Sequence, residues 1–204
     1  SSGDGTWNYG YVDASGNRTT TVTDPLSHTR VVVSSLSTSL VTSDTDGLGH
    51  TTSFEYDPNG RLTKVTQPEG NITETKYDGR GNVLTVTAFP KPGGAGTLTS
   101  SAAYPPGACA NPVTCNLPTS TTDAAGQTTN YVYDPVHGGL KTVTRPDPNG
   151  GGVRPQTNYT YTAISPYYRN AGGAIVAGPS AIYRLTGMDA CVSGNTCAGG
   201  ATQV

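Results

Sequence analysis

The sequence predicts an all-β protein built as an antiparallel meander of short strands. Charged residues make up only 13% of the chain, so its polarity comes from Thr, Ser, Asn and Gly. Thr and Tyr favour strands, whereas Gly, Asn, Asp and Pro favour turns. Turn glycines at positions 49, 60, 70 and 81 are spaced by ten or eleven residues, which leaves six or seven residues for each strand. Short strands at this spacing are typical of a meander.

An internal repeat accompanies the glycine spacing. Each copy has the pattern Tyr-Asp-x-x-Gly-x-Leu/Val, with one extra residue in the third turn and a further glycine seven residues before the tyrosine. A weaker copy is predicted at Thr23-Asp24-Pro25, seven residues after Gly16. The residues of the three clear copies are Gly49, Tyr56, Asp57 and Gly60, then Gly70, Tyr77, Asp78 and Gly81, then Gly126, Tyr133 and Asp134.

The turn residues predict one backbone shape. In Asp57-Pro58-Asn59-Gly60, Asp accepts backbone hydrogen bonds, Pro fixes φ, and Gly takes the positive φ that other residues resist. This order favours a type I turn followed by a left-handed residue. Asp13-Ala14-Ser15-Gly16 is expected to have the same shape. Strict alternation in the next strand would place Leu62 and Val65 on opposite faces.

These residues resemble the YD repeat, also called the RHS repeat. The match is strong over residues 46–87 and 121–145 and looser over 11–30. The resemblance implies a large secreted or surface protein, such as a bacterial polymorphic toxin, an insecticidal toxin component, a wall-associated protein or a teneurin. It also implies a curved, open sheet, β-solenoid-like or part of a hollow shell. The family's C-terminal core motif is not visible in the sequence.

Four regions are expected along the chain. Residues 1–87 form YD/RHS repeats, 88–120 a Pro/Gly-rich insertion with a cysteine loop, and 121–165 further repeats. Residues 166–204 are expected to be an irregular Gly/Ala-rich segment with a second cysteine loop, and residues 170–180 within it a flexible surface loop. The start of the chain lacks the basic and apolar regions of a signal peptide, so either a signal has been removed or the chain is a fragment of a longer protein. The fragment is favoured because the repeat pattern runs close to both ends of the sequence.

The four cysteines form two pairs of equal spacing. Five residues separate Cys109 from Cys115 and Cys191 from Cys197, which favours two local disulfides and an oxidising, extracellular compartment. Cross-pairing, bonds between subunits and a Cys₄ zinc site remain alternatives. Structural zinc prefers closer cysteines, so no metal site is predicted.

No catalytic residue or cofactor is predicted. The chain has three histidines: His28 and His50 follow turns as polar strand starts, and His137 lies within a turn. A repeated Asp indicates architecture, because an active site is normally unique. The tyrosines of the repeat are expected to pack against neighbouring strands. Possible surface-binding residues are Trp7, Tyr104, Tyr167 and Tyr168.

The predicted function is therefore structural and non-catalytic: a wall or spacer segment of an extracellular RHS-type β-shell. Its partners would be other repeats of the same parent chain, or identical subunits, joined through sheet edges. One alternative is a self-assembling extracellular fibre or matrix subunit. Another is a carbohydrate- or receptor-binding surface module. A pI near 5.8 without basic clusters argues against nucleic acid, and no apolar stretch is long enough to span a membrane.

Overall fold

The computed structural model describes residues 5–148, 150, 152–191 and 202–203. All regular structure in these residues is β-strand, and consecutive strands of the meander pair antiparallel. The predicted all-β class and antiparallel meander are therefore confirmed. In the described part of the chain no helix exists that could cross a membrane. The chain divides into two compact units, Ser1–Ser100 and Ser101–Val204.

The first unit is a meander in strict chain order. Each inner strand pairs with the one before it and the one after it, and short turns join them. The strands are β1 (Asn8–Ala14), β2 (Asn17–Thr23), β3 (Thr29–Ser35), β4 (Val41–Thr45), β5 (Thr51–Tyr56), β6 (Leu62–Thr66), β7 (Ile72–Tyr77) and β8 (Val83–Phe89). At the open end, β1 pairs with β2 alone among the described residues.

The second unit continues the same kind of pairing. Its strands are β10 (Ser120–Thr122), β11 (Thr128–Tyr133), β12 (Leu140–Thr144), β13 (Gln156–Ile164), β14 (Tyr167–Arg169), β15 (Ile175–Ala177), β16 (Ile182–Cys191) and β17 (Thr202–Gln203). β9 (Leu98–Ala103) crosses the division between the units, and its last three residues pair with β10. β14 and β15 form a separate hairpin inserted between the paired strands β13 and β16.

The structure has strands in two regions where the sequence predicted an insertion and an irregular segment. β9 lies within residues 88–120, and β14, β15 and most of β16 lie within residues 166–191. The stretch 170–180, expected to be a loop, contains β15, because Asn170 and Gly173 close a hairpin there. The predicted limits of the four regions stay a prediction.

The two faces of the first unit differ in chemistry. Directly opposed residues of an antiparallel pair lie on the same face. Across β5 to β8 one face carries Phe54, Val65, Thr73 and Ala88, and the other carries Glu55, Lys64, Glu74 and Thr87. Lys64 Nζ lies 3.0 Å from Glu55 Oε1. The sheet therefore has a more apolar face and a polar face.

A β-bulge recurs beside each tyrosine of the repeat. Tyr56 pairs with Leu62 and Glu55 pairs with Lys64, so Thr63 is an extra residue on β6. The hydroxyl of Thr63 donates to the Glu55 carbonyl at 3.1 Å. The bulge shifts the alternation of side chains by one residue. Leu62 lies opposite Tyr56 and Val65 lies opposite Phe54, and Phe54 and Tyr56 share a face, so Leu62 and Val65 share it too. The expectation that Leu62 and Val65 face opposite ways is therefore wrong.

Little of the described chain is buried. Among the described residues only Cys115, Val143 and Thr157 have relative exposures of 9% or less. Most strand residues are half-buried, because a single layer of sheet shields each side chain only with its neighbours in the same layer. Each unit is therefore stabilised mainly by its own ladder hydrogen bonds, cross-strand pairs and turns.

Two turn predictions are corrected by the register. Ala14 pairs directly with Asn17, and Ser15 and Gly16 have φ of 52° and 78°. Positive φ at both central residues makes this a two-residue hairpin turn of type I′ character. Asp13 does not cap this turn but binds Arg18 across the strands, with Nε to Oδ1 at 2.8 Å.

The predicted weak copy at Thr23-Asp24 is also out of phase. Its turn joins β2 to β3, whereas the Tyr56 turn joins β5 to β6. In a meander, consecutive turns lie at opposite ends of the strands. Asp24 therefore lies at the same strand ends as Asp46 in the β4–β5 turn, and the turns that follow Tyr56 and Tyr77 lie at the other ends.

Candidate functional site

The repeated aspartate turn is the most regular arrangement of polar groups in the structure. The Asp57 N–H donates to the Arg61 carbonyl and the Gly60 N–H donates to the Asp57 carbonyl, both at 2.9 Å. Asp57 Oδ1 also accepts the backbone N–H groups of Asn59 at 2.9 Å and Arg61 at 3.0 Å. The same bonds are present in the turn that begins at Asp78. The carboxylate therefore closes the turn by satisfying backbone donors.

The second carboxylate oxygen binds the side chain that ends the turn. Asp57 Oδ2 accepts from Arg61 Nε at 2.6 Å, and Asp78 Oδ2 accepts from Asn82 Nδ2 at 2.8 Å. The histidines of the first unit occupy this position too: His28 Nδ1 lies 2.8 Å from Asp24 Oδ2. Each predicted Asp therefore binds within its own turn, and the turns lie at separate places along the sheet.

The hydrogen bonds lower the pKa of the turn carboxyls. The backbone N–H of Arg61 holds the pKa of Asp57 below its ordinary value, and the backbone N–H of His50 does the same for Asp46. For Asp24 the main cause of the lowered pKa is the side-chain hydrogen bond with His28. Partial desolvation opposes the shift in each case without reversing it. The ionised carboxylate is therefore the form that the folded turns prefer.

Acid is expected to destabilise the protein through these turns. A carboxyl with a lowered pKa in the folded state contributes stability above its unfolded pKa and loses that contribution as the pH falls through its folded pKa. The free energy of unfolding should stay level from neutral pH to about pH 5 and then decline below about pH 4, the ordinary Asp pKa range. Urea unfolding at a series of pH values measures this. A level free energy down to about pH 2 would contradict the role of the carboxylates.

Tyrosine hydroxyls connect each strand pair to the preceding one. The Tyr56 hydroxyl donates to the Val41 carbonyl at 2.8 Å, and the Tyr77 hydroxyl donates to the Leu62 carbonyl at 2.8 Å. The tyrosine and its acceptor are 15 residues apart in both cases. Tyr133 lies beside Tyr131, with ring centroids 6.4 Å apart, and partial burial raises the pKa of Tyr133.

Arg61 makes a further link between consecutive turns. Its Nη1 donates to the Asp78 carbonyl at 3.0 Å, while its Nε binds Asp57. Its guanidinium carbon lies 4.8 Å from the centre of the Tyr77 ring. One arginine therefore joins its own turn to the turn and the tyrosine of the next repeat, a role that the sequence pattern did not predict.

The structure contains a repeat that the sequence analysis missed. Ser34 pairs with Val41 across a register shift, as Tyr56 pairs with Leu62. The Ser35 N–H donates to the Leu40 carbonyl, and Ser39 has a φ of 60° in place of the usual glycine. Ser34 stands 22 residues before Tyr56, so the spacing was a usable signal even though the Tyr-Asp letters are lost.

The cysteine loop of the second unit lies against a turn of the repeat. Cys109 and Cys115 are bonded, with Cα atoms 5.2 Å apart, and Cys115 is only 3% exposed. Asn111 Nδ2 donates to the Pro135 carbonyl at 2.9 Å, so the loop contacts the turn that follows Asp134. The predicted pairing of Cys191 with Cys197 lies outside the described residues.

Removing this disulfide is expected to weaken the second unit moderately. Replacing Cys109 and Cys115 together by Ala should lower the free energy of unfolding by roughly 2 kcal/mol in the chain-entropy model for so short a loop. Urea unfolding under oxidising conditions measures the change. The double variant leaves Cys191 and Cys197 intact, so it separates this bridge from general reduction. An unchanged free energy would mean that the bridge does not hold the loop in place.

The predicted surface residues lie in different parts of the chain. Trp7 is 57% exposed and precedes β1 in the first unit. Tyr167 and Tyr168 are 72% and 52% exposed on β14 of the second unit, where Tyr104 is half-buried. Within the described residues, no group of His, Cys, Asp and Glu is arranged to hold a metal ion.

Repeated strand pairs, each closed by an Asp turn and tied to its neighbour, define a β-repeat protein. Part of the chain is similar to the RHS repeat: a family model for the RHS repeat matches residues 38–72 and 56–95. The resemblance drawn from the sequence is thus confirmed over the copies that contain Tyr56 and Tyr77. The third copy, at Tyr133, lies outside the matched residues.

Comparison with whole proteins adds two facts. None of the curated proteins matches the chain. Among solved structures, the chain is similar to one described as "Crystal Structure of TcdB2-TccC3 without hypervariable C-terminal region", with 16% sequence identity and a TM-score of 0.45. The similarity covers 79% of this chain and 9% of that chain, so this chain spans only a small part of that protein's length.

Proposed function

We propose that this chain is a non-catalytic wall or spacer segment of an extracellular RHS-type β-shell. The observation that carries the proposal is the linkage of consecutive repeats in the first unit: Tyr77 and Arg61 join two of them, and Tyr56 bonds the preceding strand pair in the same way. Such links extend a sheet indefinitely without requiring a closed core. The repeated carboxylates bind backbone donors of their own turns, which supports an architectural role for them.

The proposed partners are other repeats of the same parent chain, joined through the sheet edges. β1 has all seven of its residues exposed and pairs with β2 alone among the described strands. The unpaired edge of an outer strand presents a row of backbone donors and acceptors to a further strand. A preceding repeat of the parent chain would satisfy them in the proposed wall.

An extracellular location, secreted or on the cell surface, is part of the same proposal. The bond between Cys109 and Cys115 supports it, because disulfides persist in oxidising compartments. The resemblance to the RHS repeat supports it further, since RHS repeats occur in large secreted and surface proteins.

The chain expressed alone tests the wall proposal. With its edges uncovered, it should associate as protein concentration rises and unfold at low denaturant, because its sheet lacks the neighbours that would cover it. Sedimentation velocity over a concentration series, combined with urea unfolding, measures both properties. A monomer at every concentration with a single, cooperative, high-denaturant transition would contradict the proposal.

A self-assembling fibre is the second candidate, favoured by the composition of β1. This strand, Asn8–Ala14, contains neither the Lys nor the Pro with which soluble proteins commonly block an edge, and its register with β2 has no bulge. Pairing between copies would then propagate a filament. Electron microscopy of the chain at high concentration distinguishes ordered filaments, expected for a fibre subunit, from irregular association, expected for an isolated wall segment.

A carbohydrate- or receptor-binding module is the third candidate. The exposed rings of Trp7 and Tyr167 favour it, because aromatic faces stack on sugars and anchor protein contacts. A glycan array probed with the chain tests it. Binding that disappears in a Trp7→Ala or Tyr167→Ala variant would support this reading, and an array without hits would remove the carbohydrate reading.

A further inference from the structure

The free edge of β1 presents a defined set of backbone groups. Ala14 pairs directly with Asn17 across the two-residue turn. Two-residue hairpins close with a pair that exchanges both backbone hydrogen bonds, and bonded and non-bonded pairs then alternate along the two strands. The register of β1 with β2 has no bulge, so Gly10 and Val12 bond to β2. The backbone N–H and C=O groups that point away from β2 are those of Tyr9, Tyr11 and Asp13.

The side chains of Tyr9 and Tyr11 lie beside each other on one face of β1. Successive side chains of a strand point to opposite faces, so residues two apart share a face. Tyr9 is 61% exposed and Tyr11 64%. Their directly opposed neighbours on β2 are Val22 and Thr20, and β1 is the outermost strand of the described sheet on the other side. A strand that binds the free edge would therefore cover both rings.

Aromatic residues elsewhere in the sheet indicate which neighbours such rings take. Three of the directly opposed pairs are Phe54 with Val65, Tyr77 with Val83 and Tyr131 with Val143. Among the described strands, no directly opposed pair consists of two aromatic residues. Cross-strand pairs of an aromatic and a β-branched side chain stabilise a sheet. The pairs of Tyr9 and Tyr11 with β2 follow the same rule, and their free sides are expected to follow it too.

We propose that the edge of β1 binds an extended strand that has aliphatic or threonine side chains at two alternate positions, opposite Tyr9 and Tyr11. The backbone of the incoming strand bonds to the outward groups of β1, and its two alternate side chains cover the two rings. Main-chain bonds supply the binding, and the rings select the side chains. The inference rests on the proposed wall function, because it names the chemistry of the strand that a preceding repeat supplies.

A second copy of β1 matches this edge less well. Antiparallel pairing of two such strands through their outward groups would set Tyr9 or Tyr11 opposite another aromatic ring or opposite Asp13. Neither combination occurs among the directly opposed pairs of the described strands. A strand of different composition, with aliphatic or threonine side chains, is therefore the favoured occupant.

A strand linked to the whole chain tests the proposal. A flexible glycine–serine linker at the start of the chain carries a strand as long as β1 with valine at alternate positions, and a matched chain carries serine there. Hydrogen exchange followed by NMR should show that the valine strand protects the amides of Tyr9, Tyr11 and Asp13. The amides of Gly10 and Val12 should change little, because they already bond to β2. The valine strand should also raise the equilibrium constant for folding about tenfold above the serine strand, through apolar burial.

Side-chain variants of the linked chains separate the rings from the backbone. Replacing Tyr9 and Tyr11 together by Ser should abolish the advantage of the valine strand, whereas Val12→Ser, 63% exposed on the opposite face, should keep it.

Equal stability with the valine and serine strands would overturn the proposal, as would an advantage that survives the double tyrosine variant. Protection of the Tyr9 and Tyr11 amides that appears only as the concentration of the unmodified chain rises would overturn it too, because copies would then pair through β1. The linked strand does not depend on what precedes β1 in the natural protein. A parent chain no heavier than this sequence would therefore contradict the wall function without deciding the pairing chemistry of the edge.

Discussion

Replacing Tyr77 by Ala should lower the free energy of unfolding by about 3 kcal/mol, among the largest effects expected of a single substitution in the first unit. The hydroxyl of Tyr77 donates to the Leu62 carbonyl at 2.8 Å, and its ring lies 4.8 Å from the Arg61 guanidinium carbon. The change therefore removes a hydrogen bond, a cation–π contact and apolar packing together. Urea unfolding of the variant and of the unchanged chain measures the difference.

Two matched variants divide the Tyr77 effect into its parts. Tyr77→Phe loses only the hydroxyl bond to Leu62, so it should cost about 1 kcal/mol. Tyr9→Ala removes an equally large ring that is 61% exposed on β1, and it should cost no more than about 0.5 kcal/mol. If Tyr77→Ala were no more costly than Tyr9→Ala, the tyrosine would not link the repeats.

Replacing Gly70 by Ala should lower the free energy of unfolding by about 2 kcal/mol. Gly70 has a φ of 87°, where a residue with a Cβ is strained. A Cβ added there would also lie 2.8 Å from Cδ of Pro92, in the loop after β8. The strain and the close contact act together, and thermal or urea unfolding measures their sum.

Gly49 offers a control with the same backbone and open space. Its φ is 86°, and a Cβ added there meets no atom within 4 Å. Gly49→Ala should therefore cost only the backbone strain, about 1 kcal/mol. Equal costs at the two positions would contradict the close packing of the β6–β7 turn against Pro92.

The carboxylate of the aspartate turn can be tested without changing its shape. Asp57→Asn keeps an oxygen that can accept the N–H groups of Asn59 and Arg61, and Asn170 Oδ1 accepts the equivalent Ala174 N–H in the β14–β15 turn. This variant should be less destabilised than Asp57→Ala at neutral pH, and both variants should lose less stability in acid than the unchanged chain, because neither has the Asp57 carboxyl. Equal loss in both variants would mean that the carboxylate charge, and not the hydrogen-bonding oxygen, closes the turn.

The sequence predicted the features that single residues determine locally. A glycine with positive φ and an Asp that accepts backbone donors recur from copy to copy, so the sequence predicts turns at Asp57 and Asp78, and the structure has hydrogen-bonded turns there. The meander followed from their spacing. The third turn, at Asp134, has one inserted residue, and there the Gly138 N–H donates to the Asp134 carbonyl four residues back.

Features that tolerate many side chains were missed. The bulge residue is Thr63 on β6 and Lys141 on β12, so no residue type marks it. Ser15, Ser27 and Ser39 adopt positive φ, which is uncommon for residues with a Cβ, and this hid the type I′ turn and the repeat at Ser34. The link made by Arg61 requires the turns at Asp57 and Asp78 to lie at the same ends of their strands, and the strand pairing of the sheet decides this.

The central claim is that these repeats are one stretch of a larger β-wall. Intact mass measurement of the unreduced protein isolated from its source, with electron microscopy of the same sample, tests it most directly. We expect a parent chain far heavier than the 20.9 kDa of this sequence, and hollow or dispersed particles without filaments. A mass near 20.9 kDa together with ordered filaments would contradict the wall and establish a self-assembling subunit.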